Sequence, residues 1–138
     1  MKGRALRGIS AIVIISLIGF ILFIHQTSLK PSFSVLKDNS LSNLRTDDIL
    51  YYGSSSCEVC QEFDKVLKDF QDETRSKIYY WDATDLTIVR KAADIKVYNT
   101  PTIIIKRNNK VKILQGYHSK NELKQFMKGE EWWKSILL

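Results

Sequence analysis

The two cysteines of this 138-residue chain mark the point where its hydrophobic period changes, and that change limits the architectures open to it. Ile49-Leu50-Tyr51-Tyr52 is a short, apolar, β-prone run closed by Gly53 and three serines. Cys57 and Cys60 follow, two residues apart, and from Cys60 the spacing becomes helical. Phe63, Val66, Leu67 and Phe70 fall on one face, with Glu62, Asp64, Lys65, Lys68 and Asp69 on the others, which predicts a helix to about Thr74. A strand therefore passes into a helix through a Cys-x-x-Cys corner.

The pattern then repeats. Ile78 to Asp82 returns to strand character, and Asp85 can cap a second helix carrying Ile88, Val89, Ala92 and Ala93. Thr102 to Lys106, led by Pro101, and Lys110 to Gln115 predict a hairpin turning at Arg107-Asn108-Asn109, because asparagine tolerates the positive φ of tight turns. Ser119-x-x-Glu122 is a capping box that opens a last helix with Leu123, Phe126 and Met127 inward and Gly129 at its end. Upstream, residues 29–43 predict a short tether into an irregular element, with Phe33 and Val35 alternating as a brief strand and a turn or two of helix over Leu41 to Arg45. Crossover units followed by a hairpin and a closing helix predict one α/β sandwich with a mixed sheet. A composition of 44% hydrophobic and 26% charged residues suits one globular domain.

The first 29 residues differ. Ile9 to Ile24 is an uncharged run of 16 residues, spanning about 24 Å as a helix at 1.5 Å per residue. That is a little short of a ~30 Å hydrocarbon core, yet long for the core of a signal peptide. No small-x-small cleavage site follows it and no cysteine there can take a lipid, so an uncleaved transmembrane anchor is expected over residues 1–29, with a cleaved signal as the alternative. A buried core helix is disfavoured, since the run is apolar all round. Lys2, Arg4 and Arg7 precede the run, which predicts a cytoplasmic N-terminus and residues 30–138 on the outer side of the cell membrane. Those three cations also account for half of the net charge of +6, leaving 18 Lys and Arg against 15 Asp and Glu beyond the run. The remaining cations are scattered among acids, so no nucleic-acid partner is expected.

At a helix N-terminus, free N–H groups and the positive end of the dipole stabilise a thiolate, the attacking form in disulfide exchange. Cys57 is the expected nucleophile. Cys60, one turn on, is close enough to form an intramolecular disulfide and so release anything joined to Cys57. A purely structural disulfide over so short a loop would contribute only about 2 kcal/mol. Zinc would need further ligands and only His25 and His118 exist, so no metal and no cofactor are expected.

Over roughly Lys30 to Gly129 the chain resembles the thioredoxin family. The match rests on the strand before Cys57-Glu58-Val59-Cys60, the amphipathic helix after it, Thr100-Pro101-Thr102 about forty residues on, and the hairpin leading to Gly116 and a last helix. The resemblance implies a thioredoxin-like three-layer sandwich and thiol-disulfide oxidoreductase activity at Cys57 and Cys60. It implies further that Pro101 is cis and lies against the cysteines, with the backbone at Thr100 pairing to a polypeptide substrate. Three positions depart from the family pattern: Ser56 replaces an aromatic residue, Glu58-Val59 replaces Gly-Pro, and Tyr51 stands where a buried aspartate assists proton transfer. Glu58 or water would then have to serve, and Glu58 would offset part of the dipole's effect on Cys57.

Within the family the architecture is similar to the small, N-terminally anchored thioredoxin-like proteins of Gram-positive bacteria known as bacteriocin transport accessory proteins. This implies disulfide formation or repair in an exported, cysteine-containing peptide, together with a redox-recycling partner. Oxidant, isomerase and reductant all remain open, since direction depends on potential and partner. The rival expectation is a non-catalytic binding or scaffold module of an export system. The Trp132-Trp133 tail is expected to fold back on the domain, the alternative being a membrane-interface or partner contact.

Overall fold

The computed structural model describes residues 13–21, 31–46 and 48–129, and the chain divides into two compact units, Met1–Lys30 and Pro31–Leu138. In the first unit residues 13–21 are helical, with large apolar side chains such as Ile15 and Phe20 exposed. Among the described residues no helix is long and apolar enough to cross a membrane. The ends of the 9–24 run and the Trp132-Trp133 tail lie outside the described residues.

In the second unit the strands are β1 (Phe33–Ser34), β2 (Ile49–Gly53), β3 (Ile78–Asp82), β4 (Thr102–Arg107) and β5 (Lys110–Gln115). The helices are α1 (Glu58–Thr74), α2 (Leu86–Asp94) and α3 (Lys120–Lys128). The five strands form one sheet in the order β1-β3-β2-β4-β5. β1, β3 and β2 are parallel, whereas β4 runs antiparallel to β2 and β5 antiparallel to β4. The expected mixed sheet is present. Crossover helices demand the parallel half, and the Asn108-Asn109 turn, with φ of 50° and 59°, permits the antiparallel half.

Both faces of the sheet are covered. Ile49 and Tyr51 of β2 project to one side, where Phe63, Leu67 and Phe70 of α1 and Leu123 of α3 pack with Ile103 and Ile105. Leu50 and Tyr52 project to the other, against Trp81, Ile88, Ala92 and Ile104. Because β2 is buried on both sides, it reads as a continuous apolar run instead of an alternating one.

The N-terminal element departs from expectation. Val35 does not share a strand face with Phe33: β1 ends at Ser34 and Val35 is 89% exposed. Leu36 and Leu44 are buried instead, flanking two 3-10 turns at Lys37–Asn39 and Leu41–Asn43. This segment is part of the second core and more than a tether. The Gln71 side chain fastens its start, accepting from Ser32 N at 2.7 Å and donating to Ser32 O at 2.9 Å.

The capping box at α3 forms as the sequence predicts. Glu122 accepts from the Ser119 backbone N–H at 2.7 Å and from its hydroxyl at 2.8 Å, and these bonds hold its carboxyl below the ordinary 4.5. A lowered carboxyl pKa adds stability that is present above the ordinary value and lost as pH falls through the folded one. Glu122→Gln is therefore expected to lower the melting temperature at neutral pH, with the gap from the parent closing below about pH 4.5. Thermal melts from pH 3 to 7 check this, and a gap independent of pH would exclude the carboxylate as its source.

Candidate active site

The site begins where β2 ends. Gly53 lies against the Tyr51 ring, and a Cβ there would come within 2.5 Å of it, so glycine is required for the close approach. Ser54-Ser55-Ser56 then turns the chain. The Ser54 and Ser56 hydroxyls are 2.8 Å apart, Cys57 N donates to Ser54 O at 3.2 Å, and the Gln61 amide reaches back to Ser55 O at 2.8 Å. Gln61 thus ties the loop to the first turn of α1, a contact that sequence reasoning missed.

Cys57 is the N-cap of α1. Its sulfur accepts from the Cys60 backbone N–H at 3.2 Å, in the place an oxygen cap would take. Cys57 and Cys60 are joined as a disulfide with Cα atoms 5.1 Å apart, within the span such a bond requires. Cys57 remains partly exposed, whereas Cys60 is 1% exposed and faces the core.

Thr100 and Pro101 arrive from the other side. The Thr100-Pro101 bond is cis, and the Thr100 hydroxyl donates to Cys57 Sγ at 3.6 Å across a separation of 43 residues. Pro101 is buried, and its carbonyl accepts from Gly116 N at 2.8 Å, which ties the corner to the end of β5. The structure thus brings together all four residues named from the sequence. Val59, between the two cysteines, and Tyr98 and Tyr117 are exposed by 46%, 70% and 50%, and Tyr117 leans edge-on against Phe63 with ring centroids 5.8 Å apart.

Beneath Cys60 the arrangement differs from expectation. The Tyr51 hydroxyl donates to Cys60 O at 3.4 Å, with the Asp64 carboxylate nearby. The helical period places Asp64 on a polar face of α1, yet in the structure it is half-buried and its Oδ1 is shielded from solvent. Burial, followed by the nearby Asp64 charge, pushes the Tyr51 phenol far above its ordinary pKa. Tyr80 is pushed up to about 12 by burial and by the charges of Asp82 and Asp64. Both phenols therefore remain protonated donors at neutral pH. Glu58 is exposed, on the opposite side of the helix. The sequence held one signal for Asp64: it follows Cys60 by four residues and so shares its side of the helix.

No group of three or more His, Cys, Asp or Glu among the described residues could hold a metal ion. His118 Nε2 lies 3.0 Å from Gln115 O and its Nδ1 lies 3.8 Å from Glu122, both within its own loop and helix.

A mixed sheet between helical layers, with a disulfide at a helix N-terminus facing a cis-proline corner, defines a class of protein built around a two-cysteine redox centre. Residues 33–129 match the family model described as Thioredoxin, and the chain belongs to the thioredoxin family. The Cys57–Cys60 pair is consistent with thiol-disulfide redox activity. No curated protein matches the chain. Among solved structures it is similar to a thioredoxin-like protein from Clostridium perfringens, with 19% identity, TM-score 0.56, and 75% of this chain and 83% of that one covered. It is similar to a thioredoxin variant from Halobacterium salinarum, with 16% identity, TM-score 0.58, and coverage of 72% and 89%. A third similar structure is thioredoxin from Aeropyrum pernix, with 20% identity, TM-score 0.53, and coverage of 72% and 94%. At these identities the likeness is one of fold.

Proposed function

We propose that this protein is a membrane-tethered thiol-disulfide oxidoreductase acting outside the cytoplasm on exported, cysteine-containing polypeptides, among them peptides of bacteriocin export. The observation that carries the redox reading is the position of Cys57: its sulfur is the N-cap of α1, partly exposed and beside the Thr100 hydroxyl. Reduced, this sulfur would be stabilised as a thiolate by the Cys60 N–H and the helix dipole. It attacks a substrate disulfide, and the mixed disulfide so formed is resolved by Cys60. Run in reverse, the same steps oxidise a substrate dithiol, and a redox-recycling partner sets the direction. The backbone at Thr100-Pro101 pairs with the substrate polypeptide beside the reacting sulfur.

Support for the tether comes from the 16-residue apolar run preceded by three cations, and support for an outer location from that charge bias and from the chemistry. The full chain in lipid vesicles is expected to accelerate disulfide exchange in a two-cysteine peptide held in glutathione buffer. A rate equal to that of buffer alone overturns the redox reading. In cells, a reporter active only outside the cytoplasm and fused after Leu138 is expected to give signal from a full-length, membrane-bound product. A shortened soluble product overturns the tether.

A further inference from the structure

Charge is distributed unevenly along the axis of the sheet. Residues 48–64, 78–89, 97–105 and 113–119 are the segments that reach the cysteine end, and they contain no Lys or Arg. They do carry the exposed acids Glu58 and Asp85. The opposite end is marked by the register, where Ile49 lies beside Ile78 and Ile105. There the β4–β5 hairpin turns, and residues 106–112 hold Lys106, Arg107, Lys110 and Lys112 with no acid among them. Arg107 and Lys110 stand directly opposite each other in the ladder, a placement that is destabilising for like charges.

Other elements add cations to the same end. Thr46 bridges to Lys106 and brings the exposed Arg45 with it. The Arg107 guanidinium donates to Met127 O, which seats the end of α3 there, and the next residue, Lys128, is exposed. Carboxylates at this end are already engaged: Asp48 accepts from Arg45 N at 3.2 Å, Asp72 pairs with Lys68, and Glu73 pairs with Lys120 and Lys124. Past Gly129 the sequence adds Glu130 and Glu131, then Trp132-Trp133, of a residue type enriched at bilayer interfaces. The chain also enters the second unit here. β1 is parallel to β3 with Phe33 beside Ile78, so Pro31 lies at the basic end. Only residues 25–30 separate Pro31 from the close of the apolar run at Ile24, a link of at most about 25 Å.

We propose that this basic end is a docking surface for the anionic headgroups of a lipid bilayer, so that the domain stands on the membrane with its disulfide facing away. This rests on the tether reading above and adds to it the face that meets the lipid. The short link keeps the basic end near the bilayer, and anionic lipid attracts juxtamembrane Lys and Arg over a screening length of about 8 Å at physiological salt. The same headgroups repel Glu58 and Asp85, so the cysteine end is turned outward by charge as well as by the point of attachment. α1 leads from Cys57 towards the basic end, and its 17 residues span about 25 Å. The docked disulfide therefore stands about that far from the headgroups, open to polypeptides leaving the membrane.

The test compares the full-length chain reconstituted in vesicles of phosphatidylglycerol with the same chain in vesicles of phosphatidylcholine. Outward-facing lysines are acetylated briefly with a membrane-impermeant reagent, and the rate at each is read by mass spectrometry. Lys106, Lys110, Lys112 and Lys128 are expected to react about fivefold slower in phosphatidylglycerol, while Lys65, exposed in the first half of α1, reacts equally in both. The difference is expected to vanish in about 1 M salt, where the screening length is about 3 Å. Lys110→Glu with Lys112→Glu, at exposed positions far from the disulfide, is expected to remove the protection of Lys106 and Lys128 and to leave thiol-disulfide exchange in detergent at the parent rate. Equal rates in the two lipids overturn the proposal. Protection that extends equally to Lys65, persists in high salt or survives the double substitution overturns it too. The tether is read separately: the full chain is expected to float with phosphatidylcholine vesicles in high salt, and a chain left in solution overturns that reading whatever the lysines show.

Discussion

Cys57→Ser is expected to abolish thiol-disulfide exchange, and Cys60→Ser to leave attack intact while trapping substrates as mixed disulfides through Cys57. The asymmetry follows from placement. Cys57 is the partly exposed N-cap, its sulfur facing the Cys60 N–H and the Thr100 hydroxyl, whereas Cys60 is buried and meets only what is already joined to Cys57. Serine at position 57 can cap the helix but forms no disulfide, so fold is retained while turnover falls to background. With serine at 60, release must wait for an external thiol. An adjacent intramolecular thiol acts at an effective concentration far above millimolar, so the mixed disulfide is expected to live at least about a thousandfold longer. Non-reducing gels and mass spectrometry of captured adducts read this directly. Equal trapping through Cys60 in the Cys57→Ser protein would reverse the two roles.

Phe63→Ala is expected to have the largest effect on stability, because Phe63 is fully buried where α1 crosses the sheet under the cysteine pair. Its ring meets Tyr51 at 5.9 Å and Tyr117 at 5.8 Å, so truncation removes buried area and two aromatic contacts at once. A buried Phe→Ala change costs about 3–5 kcal/mol, which for a domain near 100 residues lowers the melting temperature by about 4 °C or more per kcal/mol. Phe63→Leu, which keeps most of the volume, is expected to cost less than about 1.5 kcal/mol. Val35→Ala, at an 89% exposed position, is expected to change stability by less than about 0.5 kcal/mol. Denaturant titration of all three sets the scale. A Phe63→Ala loss no larger than that of Val35→Ala would contradict the packing described for the first core.

The proposed site was unevenly legible. Cys57 and Cys60 were visible because a short local spacing at a change of period is itself the geometric information: a helical turn brings residues three apart together whatever else the chain does. Thr100 and Pro101 became candidates only through resemblance, since nothing local to them reports a partner 43 residues away. Gln61 and Asp64 looked like ordinary polar positions on an amphipathic helix. A period of 3.6 sorts residues into faces, but it does not say which polar residue at the edge of a face will be covered by a side chain from another strand.

Local patterning alone was enough to place the elements from β2 onward, their order, a turn at Arg107-Asn108-Asn109 that the structure narrows to Asn108-Asn109, and the caps of α2 and α3, because propensity, capping and turn chemistry act within a few residues. It was also enough to separate the 16-residue apolar run from the domain that follows it. Long-range packing was needed for everything that depends on contact between distant segments. It buries Leu36 and Leu44 and leaves Val35 in solvent, although all three are equally apolar in sequence. It sets the Thr100 hydroxyl against Cys57, and it lays the Tyr51 ring over Gly53 so that its hydroxyl meets Asp64 under Cys60. Those contacts arise when β4 inserts beside β2 and α1 closes on the sheet, and the side chains involved carry no local mark of it.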